Sequence, residues 1–440
     1  MLLTISILFF AFLLTKTKKL DLTLFLGFLA TLPLSKGKSF ELIMLTNDQV
    51  ATNSLFNISY EFQIYLSDVF LFFLIWILIR NKKVIKKITS FSLSKSQLFF
   101  LAFIFFSIFS GLSSNFPMVS LLSSLQLVKM FMILMVPLFI EKGIKIKNIW
   151  EVAAAFIFFQ IILIILQKIN GGPLGIYMES LLQKEELGIR SNENPDIIRL
   201  TGSFFEPSIL GTFLLTQYLF FINILNKVKK QKEKILIKII IIGIVIGIFF
   251  TGSRGIYLIF LLSLLTSILP LLKSKKYNLP SLKSSIIYIF PILIILPYFL
   301  NRFSDFSSLF SKLGSGTYRL QMAEQAFLLA KNNFLGVGLN LSPHSFAIQK
   351  FSKEIIFDPA HPHNIFFQIL AETGFIGLII FSLFIFYSIK EVSNFSKNYF
   401  FYPIIFFLLS SQIYPIFINQ PEIASFLFLY IGLSKLYTKS

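Results

Sequence analysis

The chain is organised as long apolar runs separated by short polar patches. Most runs are roughly 15–22 residues long, which suits helices that cross a bilayer. We expect about twelve or thirteen spanning helices and no separate soluble domain, so that residues 1–440 form a single membrane domain. The expected spans are residues 2–15, 20–35, 64–80, 97–112, 118–140, 149–167, 206–226, 235–251, 255–273, 284–300, 364–389, 398–418 and 421–436. The pattern predicts an all-α, polytopic integral membrane protein.

Composition points to the same class of protein. Apolar residues make up 55% of the chain and charged residues only 14%, whereas soluble domains have about 45–50% apolar residues. The chain contains no Cys, which excludes disulfides and a thiol nucleophile. Residues 2–14 lack a basic n-region and a small-residue cleavage site, so we interpret them as a membrane segment and not as a signal peptide.

The net charge of +19 comes from lysines clustered at the ends of apolar runs. Such clusters mark cytoplasmic loops, so the charge does not call for a nucleic-acid partner. The clusters are Lys16, Lys18, Lys19; Arg80, Lys82, Lys83, Lys86, Lys87; Lys142, Lys145, Lys147; Lys227, Lys229, Lys230, Lys232, Lys234; and Lys273, Lys275, Lys276. Residues 36–62, 112–117, 168–205, 252–254 and 301–363 are then outer loops. Loops as long as 168–205 and 301–363 are typically functional or disordered.

Arginine and histidine are distributed in the opposite way. Of the six arginines, Arg80 is predicted to be cytoplasmic and five are predicted to lie outside: Arg190, Arg199, Arg254, Arg302 and Arg319. All three histidines, His344, His361 and His363, fall in the last long outer loop. Positive-inside sorting opposes outer arginines, so another interaction must favour them. Because guanidinium groups bind phosphate through paired N–H donors, we expect an anionic ligand at the outer face.

Residues 199–211, RLTGSFFEPSILG, lead from an outer loop into a helix. Pro207 suits a first helical turn, and Glu206 would then stand near the N-cap, where an acidic side chain is favourable. Glu206 is therefore either a simple cap or a functional carboxylate. A cation at the membrane rim is not needed to stabilise the fold, so the position of Arg199 favours a functional role.

Residues 251–255, TGSRG, predict a tight turn between two spans, with Gly252 and Gly255 allowing the reversal. Arg254 lies at or just below the outer boundary of the membrane. A charge at that depth is usually paired or functional. The alternative is that Arg254 extends to the lipid headgroups.

Residues 315–339 predict a helix followed by a turn. Leu320, Ala323, Phe327 and Ala330 share one helical face, which we expect to lie against the membrane or the protein, and Arg319 falls in the first turn. The Gly-x-Gly at 336–338 follows no strand, so we do not interpret it as a nucleotide-binding loop.

Residues 360–377, AHPHNIFFQILAETGFIG, place His361 and His363 two positions apart before a long span. This spacing is poor for zinc, and no Cys completes a ligand set, so we expect no metal. A neutral histidine near pH 7 is suited to take a proton from a hydroxyl group. The alternative is a loop histidine without a role.

In this order, the four stretches resemble the O-antigen ligase and polymerase family of bacterial membrane glycosyltransferases. The resemblance is specific at RLTGSFFEPS (199–208), TGSRG (251–255) and HPHNIFFQILAETGFIGL (361–378), and softer at YRLQMAEQAF and FLGVGL. It covers about residues 200–380 as a family-like core, whereas the N-terminal third carries no motif of the family.

The resemblance implies an all-helical C-type glycosyltransferase in the bacterial cytoplasmic membrane, with its active site facing the periplasm or exterior. It implies a donor glycan linked to undecaprenyl pyrophosphate, a glycan or lipid acceptor, and no cofactor or metal. Arg199 and Arg319 would hold the pyrophosphate, and Arg254 would assist. His363 would activate the acceptor hydroxyl, with His361 as second choice and Glu206 as a further catalytic candidate. Inversion at the anomeric carbon is expected, with chain-length regulators and flippases as partners besides membrane lipid.

Three functions remain open on the sequence. Glu206, Pro207 and Ser208 resemble the polymerase side of the family more than the ligase side, so polymerisation is favoured. A ligase that transfers the finished glycan to another acceptor is the alternative. A transporter or flippase of lipid-linked sugars would need mid-membrane charges in paired halves. Lys129 is the clearest such charge, and no matching repeat accompanies it.

Overall fold

The computed structural model describes residues 19–34, 37–45, 58–140, 144–175, 190–191, 194–273, 291–293, 295–297, 300, 315–348, 361–392, 398–414, 416–417 and 420–438. The helices are α1 Leu20–Thr31, α2 Leu66–Arg80, α3 Lys82–Thr89, α4 Lys95–Leu112, α5 Pro117–Phe139, α6 Ile146–Asn170, α7 Pro207–Leu225, α8 Gln231–Thr251, α9 Arg254–Lys273, α10 Ser315–Asn332, α11 Ser342–Ile348, α12 Ile365–Val392, α13 Phe401–Ser410 and α14 Pro421–Thr438. The strands are β1 Gly37–Leu45, β2 Ile58–Tyr65, β3 Arg190–Ser191 and β4 Asn194–Ile198.

The predicted all-α membrane architecture is confirmed. Within the described residues, the helices α4, α5, α6, α7, α8 and α12 are long and apolar enough to cross a membrane. Shorter apolar helices occupy Leu20–Leu34, Arg254–Leu265 and Phe401–Ser410, each within a predicted span apart from Arg254, which directly precedes one. The predicted span 2–15, most of 284–300, and Arg302 lie outside the described residues.

Two small antiparallel sheets occur where the sequence was interpreted only as loop. β1 pairs with β2 in the predicted loop 36–62, and β3 pairs with β4 in the predicted loop 168–205. The apolar and polar residues of β2 alternate from Ser59 to Ile64, which is the pattern of a strand with one covered face. Two of the predicted outer loops therefore contain paired strands, and β2 continues to Tyr65, into the predicted span 64–80.

The helices belong to two compact units. Unit 1 comprises Met1–Lys36, Gly143–Asp305 and Tyr399–Ser410, and unit 2 comprises Gly37–Lys142, Phe306–Asn398 and Ser411–Ser440. In unit 1, α7 is buried along nearly its whole length and packs against α6, α8, α9 and α13. Gly211 brings α7 close to Ile256 of α9, because a side chain there would meet the isoleucine. The motifs at 199–211 and 251–255 thus flank one tightly packed group of helices.

In unit 2, α4 packs on α12, and α5 packs on α14. Aromatic rings fill the contact: the ring of Phe100 lies 4.7 Å from that of Phe384 and 4.6 Å from that of Phe428. These distances suit favourable ring–ring contact in a dry core. The packing supports α12, which begins directly after the two neighbouring histidines.

Lys129, the mid-span charge of α5, forms an ion pair. Its Nζ lies 3.3 Å from Asp68 Oδ1, and both side chains are mostly buried. A paired charge inside a membrane helix is far less costly than an isolated one. The ion pair explains how the charge of Lys129 is accommodated inside α5, so no substrate pathway is needed to explain it.

A second polar group joins α4, α12 and α14 in unit 2. Lys435 Nζ lies 2.7 Å from Glu391 Oε2. Glu391 also accepts hydrogen bonds from the hydroxyl groups of Ser94 and Ser96, at 3.0 and 2.6 Å. This clamp, formed by Ser94, Ser96, Glu391 and Lys435, ties the start of α4 to the ends of two later helices.

The face of α10 predicted to lie against the membrane or the protein packs only in part against the described residues. Leu320 and Phe327 are 63% and 50% exposed, and only Ala330 of the predicted face is fully buried. A different face, Met322, Ala326 and Leu329, packs with Phe346 and Ala371. Both faces have helical spacing, and periodicity alone does not say which one meets the protein.

Candidate functional site

In unit 1, two glutamines of α6 hold the segment that carries Arg199 and Glu206. Gln167 accepts a hydrogen bond from the Gly202 N–H at 2.9 Å and donates to the Gly202 carbonyl at 2.8 Å. Gln160 accepts from the Ser203 N–H at 3.0 Å. Buried backbone groups need such partners because water cannot reach them. The segment is therefore fixed although it has no regular secondary structure.

Arg199 lies against the turn that precedes Arg254. Its Nε donates to the Thr251 carbonyl at 3.3 Å. Gly252 has a left-handed backbone, with φ of 59°, and a Cβ atom there would lie 2.9 Å from Arg199 Cγ. Glycine meets both requirements, the positive φ and the close approach. The RLTGSFFEPS and TGSRG motifs, separate in sequence, are thus in contact within unit 1.

Arg254 and Glu206 each stand at the start of a helix. Arg254 is the first residue of α9, and Glu206 is the N-cap residue of α7, directly before Pro207, as predicted. The Glu206 side chain does not cap the helix; its Oε2 accepts from the Ser208 hydroxyl at 3.0 Å. A carboxylate has several acceptor sites, so Glu206 can accept a further hydrogen bond from another group.

In unit 2, the FLGVGL motif docks on the middle of α12. The Val337 and Gly338 N–H groups donate to the carbonyls of Ala371 and Glu372, at 3.3 and 2.9 Å. Gly374 has φ of 65° and ψ of −169°, which interrupts the helix at this contact. A side chain at Gly336 would meet the backbone of Glu372. The glycines therefore allow two backbones to touch, which fixes Glu372 in place.

His361 faces that fixed carboxylate. Its Nδ1 lies 3.2 Å from Glu372 Oε1 and 3.2 Å from Ser342 Oγ. The Ser342 hydroxyl donates to Glu372 Oε1 at 2.8 Å, and Gln368 donates to the same oxygen at 3.3 Å. Glu372 is fully buried. A histidine oriented by a buried carboxylate is a recurrent arrangement in acid–base sites.

His363 has a different environment, next to Arg319. Its ring lies 5.5 Å from that of Tyr318 in an edge-on contact. Burial and then the positive charge of Arg319 lower the pKa of His363 to about 4, opposed by a hydrogen bond with the backbone of Ile413. The Arg319 guanidinium stands over the Tyr414 ring, 5.8 Å from its centre. His363 is therefore neutral at neutral pH, beside a permanent cation.

His344 does not join this pair. It is 3% exposed, and its ring packs edge-on against Phe116 at 4.8 Å. Burial lowers its pKa. In the described parts of the chain, no three His, Asp or Glu side chains are grouped as metal ligands. His344 is thus a core residue of unit 2.

The six predicted residues fall into two groups. Arg199, Arg254 and Glu206 belong to unit 1, and Arg319, His361 and His363 belong to unit 2. Sequence reasoning missed Ser342 and Glu372. The signal for Glu372 was present, since a carboxylate inside a long apolar run is expensive unless it has a partner or a function.

Comparison with known proteins gives one family. Residues 239–382 match the family model described as O-Antigen ligase. No curated protein matches the chain. The matched region contains Arg254, Arg319, His361, His363 and Glu372, whereas Arg199 and Glu206 precede it.

Proposed function

We propose that this chain, a multi-pass membrane member of the O-antigen ligase and polymerase family, polymerises oligosaccharide repeat units linked to undecaprenyl pyrophosphate. The product would be a surface polysaccharide such as O-antigen, capsule or exopolysaccharide, made at the outer face of the bacterial cytoplasmic membrane. The observation that carries the proposal is the position of Arg319 near His363 in unit 2: Tyr318, the residue before Arg319, packs edge-on against the His363 ring at 5.5 Å, and the charge of Arg319 lowers the pKa of His363. A cation and a neutral proton acceptor are thereby brought close together.

The reaction needs both groups. The acceptor, a sugar hydroxyl of a second repeat unit, loses its proton to His363 as its oxygen bonds to the anomeric carbon of the donor sugar. The bond from that carbon to the pyrophosphate oxygen breaks, and undecaprenyl pyrophosphate leaves with the electron pair. One displacement of this kind inverts the anomeric carbon. The negative charge that develops on the leaving group is stabilised by fixed guanidinium groups.

Binding of the donor would also make His363 a better proton acceptor. A histidine with a pKa of about 4 is a weak proton acceptor, and the best general bases titrate near the working pH. The pyrophosphate anion on Arg319 would offset the charge that lowers the pKa of His363. The pKa of His363 would then rise when the donor binds, while burial, the larger cause of its low value, remains.

The arginines of unit 1 are proposed to bind the same pyrophosphate class. Arg199 uses Nε for the Thr251 carbonyl, and its terminal guanidinium nitrogens are suited to paired phosphate contacts. Arg254 begins α9, where helix N–H groups and the guanidinium favour the same kind of anion. The outer location of all these residues rests on the cytoplasmic assignment of the lysine clusters.

A ligase is the second candidate function, favoured by the description of the matched family model. Polymerisation is preferred because the Glu206-Pro207-Ser208 sequence resembles the polymerase side of the family. A transporter of lipid-linked sugars gains no support from Lys129, because that charge is paired with Asp68.

The test is the length of the glycan in cells that lack the protein, complemented with wild type, His363→Ala or Arg319→Ala and resolved on a gel. We expect the deletion and both variants to leave one repeat unit on the final acceptor. Full-length chains that accumulate on undecaprenyl pyrophosphate would identify a ligase. Normal chains from both variants, at normal protein levels, would exclude the proposed site and favour transport.

A further inference from the structure

The His361–Glu372 cluster is a second polar site that proton transfer to His363 does not use. It joins three parts of unit 2: Ser342 begins α11, His361 precedes α12, and Gln368 and Glu372 lie on α12. The backbone contact between Gly338, which lies shortly before α11, and Glu372 of α12 holds the first of these parts against the third. The cluster is therefore preorganised by the fold.

Stability does not explain the carboxylate. Glu372 is fully buried, and within the described residues its Oε2 makes no hydrogen bond. Burying a carboxylate with incomplete hydrogen bonding is costly, and an apolar residue of similar volume would often stabilise such a site more. A buried carboxylate at this position therefore points to a role beyond packing.

The hydrogen bonds fix the direction of the imidazole. Ser342 and Gln368 donate to Glu372 Oε1, and the Gln368 amide nitrogen also lies 3.4 Å from His361 Nδ1. With the hydrogen on Nδ1, the ring can donate to Glu372 Oε1 across the 3.2 Å contact and needs no donor from Gln368. In the neutral ring, Nε2 then carries the lone pair. The His361 side chain is 17% exposed, and the structure gives Nε2 no hydrogen bond with a described residue.

We infer that Glu372, supported by Ser342, is a positioning residue that fixes the Nδ1–H tautomer of His361, so that Nε2 accepts a hydrogen bond from a hydroxyl of the acceptor glycan. The inference rests on the proposed function and divides the work between the two histidines. His363 takes the proton, and His361 holds a neighbouring hydroxyl of the same sugar. Sugar hydroxyls are donors, and a neutral Nε2 is a matching acceptor.

The first test reads the tautomer without any activity. The chain has only three histidines, so ¹⁵N-histidine NMR of the full-length protein in detergent micelles gives few signals, and His361→Gln assigns one of them. We expect His361 to be Nδ1–H in the wild type and to lose this preference in Glu372→Leu. Glu324→Gln, at an exposed position of α10, is the control and should change nothing.

The second test is a double-mutant cycle on chain extension in membrane vesicles, with the lipid-linked repeat unit as substrate. Loss of one neutral hydrogen bond weakens binding by roughly tenfold at most. We expect His361→Ala, Glu372→Leu and the double variant each to raise the acceptor KM by about that factor, with kcat little changed. A double variant whose loss is the product of the two single losses would show that Glu372 does not act through His361.

The two proposals fail separately. If His363→Ala extends chains normally, the proposed base is wrong, while the NMR result still decides the tautomer. If His361 is Nε2–H in the wild type, or if Glu372→Leu leaves the tautomer unchanged, the positioning role is wrong whatever His363 does. Should Glu372→Leu fail to fold, Ser342→Ala replaces it, with a smaller loss of the same preference expected. An unchanged tautomer in that variant, together with an unchanged acceptor KM, would likewise overturn the inference.

Discussion

Arg199 reaches across 52 positions of sequence to donate a hydrogen bond from Nε to the carbonyl of Thr251. The contact fixes the side chain through its Nε and leaves the terminal nitrogens for other partners. A lysine has neither the Nε donor nor the planar fork.

Arg199→Lys should reduce chain extension by about a hundredfold, the effect expected from losing one fixed donor at a developing negative charge. Lysine keeps the positive charge, so a loss of chain extension would show that the geometry of the guanidinium group matters. Arg80→Lys is the matched control, because the Arg80 guanidinium stands 3.9 Å over the Trp76 ring and belongs to a predicted cytoplasmic loop. Equal rates for both variants would contradict a phosphate role for Arg199.

Gly252→Ala should both destabilise the turn and displace Arg199. A non-glycine residue in the left-handed region costs about 1–2 kcal/mol, and the new Cβ would press on Arg199 Cγ at 2.9 Å. Gly175→Ala separates the two effects, since Gly175 has a similar φ of 71° and, among the described residues, no neighbouring atom within 4 Å. We expect similar losses of melting temperature but lost chain extension only for Gly252→Ala. Full extension in that variant would mean that Arg199 tolerates displacement.

Gln167→Leu should lower stability by roughly 2–6 kcal/mol, because the buried N–H and carbonyl of Gly202 lose their partner and each unsatisfied group costs about 1–3 kcal/mol. Asn170→Ala, one turn further along α6, is the control, since Asn170 is exposed and, within the described residues, its amide bonds the Pro173 carbonyl alone. Thermal unfolding in detergent measures both variants. A Gln167→Leu protein as stable as the control would show that Gly202 finds other partners.

His363 should make the protein less stable in mild acid. Its pKa is about 4 in the folded protein and about 6.5 in the unfolded chain. Between these values the unfolded chain binds the extra proton, so stability falls as the pH falls from about 6.5 to about 4, by about 3 kcal/mol. His363→Gln should therefore narrow the difference in melting temperature between pH 7 and pH 5.

Arg319→Gln should raise the pKa of His363, because it removes a positive charge that disfavours the imidazolium. Titration of the ¹⁵N-histidine signals measures the shift, with Arg80→Gln as control. An unchanged His363 titration in Arg319→Gln would show that burial alone sets the pKa. It would also contradict the proposal that donor binding to Arg319 raises the pKa of His363.

The spans were predictable because a bilayer imposes one length and one polarity on every crossing helix. Glu206 at the start of α7 and the turn at Gly252 were predictable from local chemistry. The contact of Arg199 with Thr251, and that of His361 with Glu372, were not, because they depend on which helices are neighbours. Which apolar face of α10 packs within the protein was unpredictable for the same reason: Leu320 and Met322 both lie on apolar stripes, and only packing selects one.

The clamp around Glu391 has a consequence for how the protein is made. Ser96 and Lys435, which it joins, are 339 positions apart. The ribosome has therefore delivered most of the polypeptide before the clamp can close, and until then Glu391 lacks its cation. We therefore expect the contacts of Lys435 with α4 and α12 to be among the last that form in unit 2, and the nascent protein to be most open to proteolysis before that point. Variants that weaken Lys435 would thus first be seen as shortened lifetimes of newly made protein.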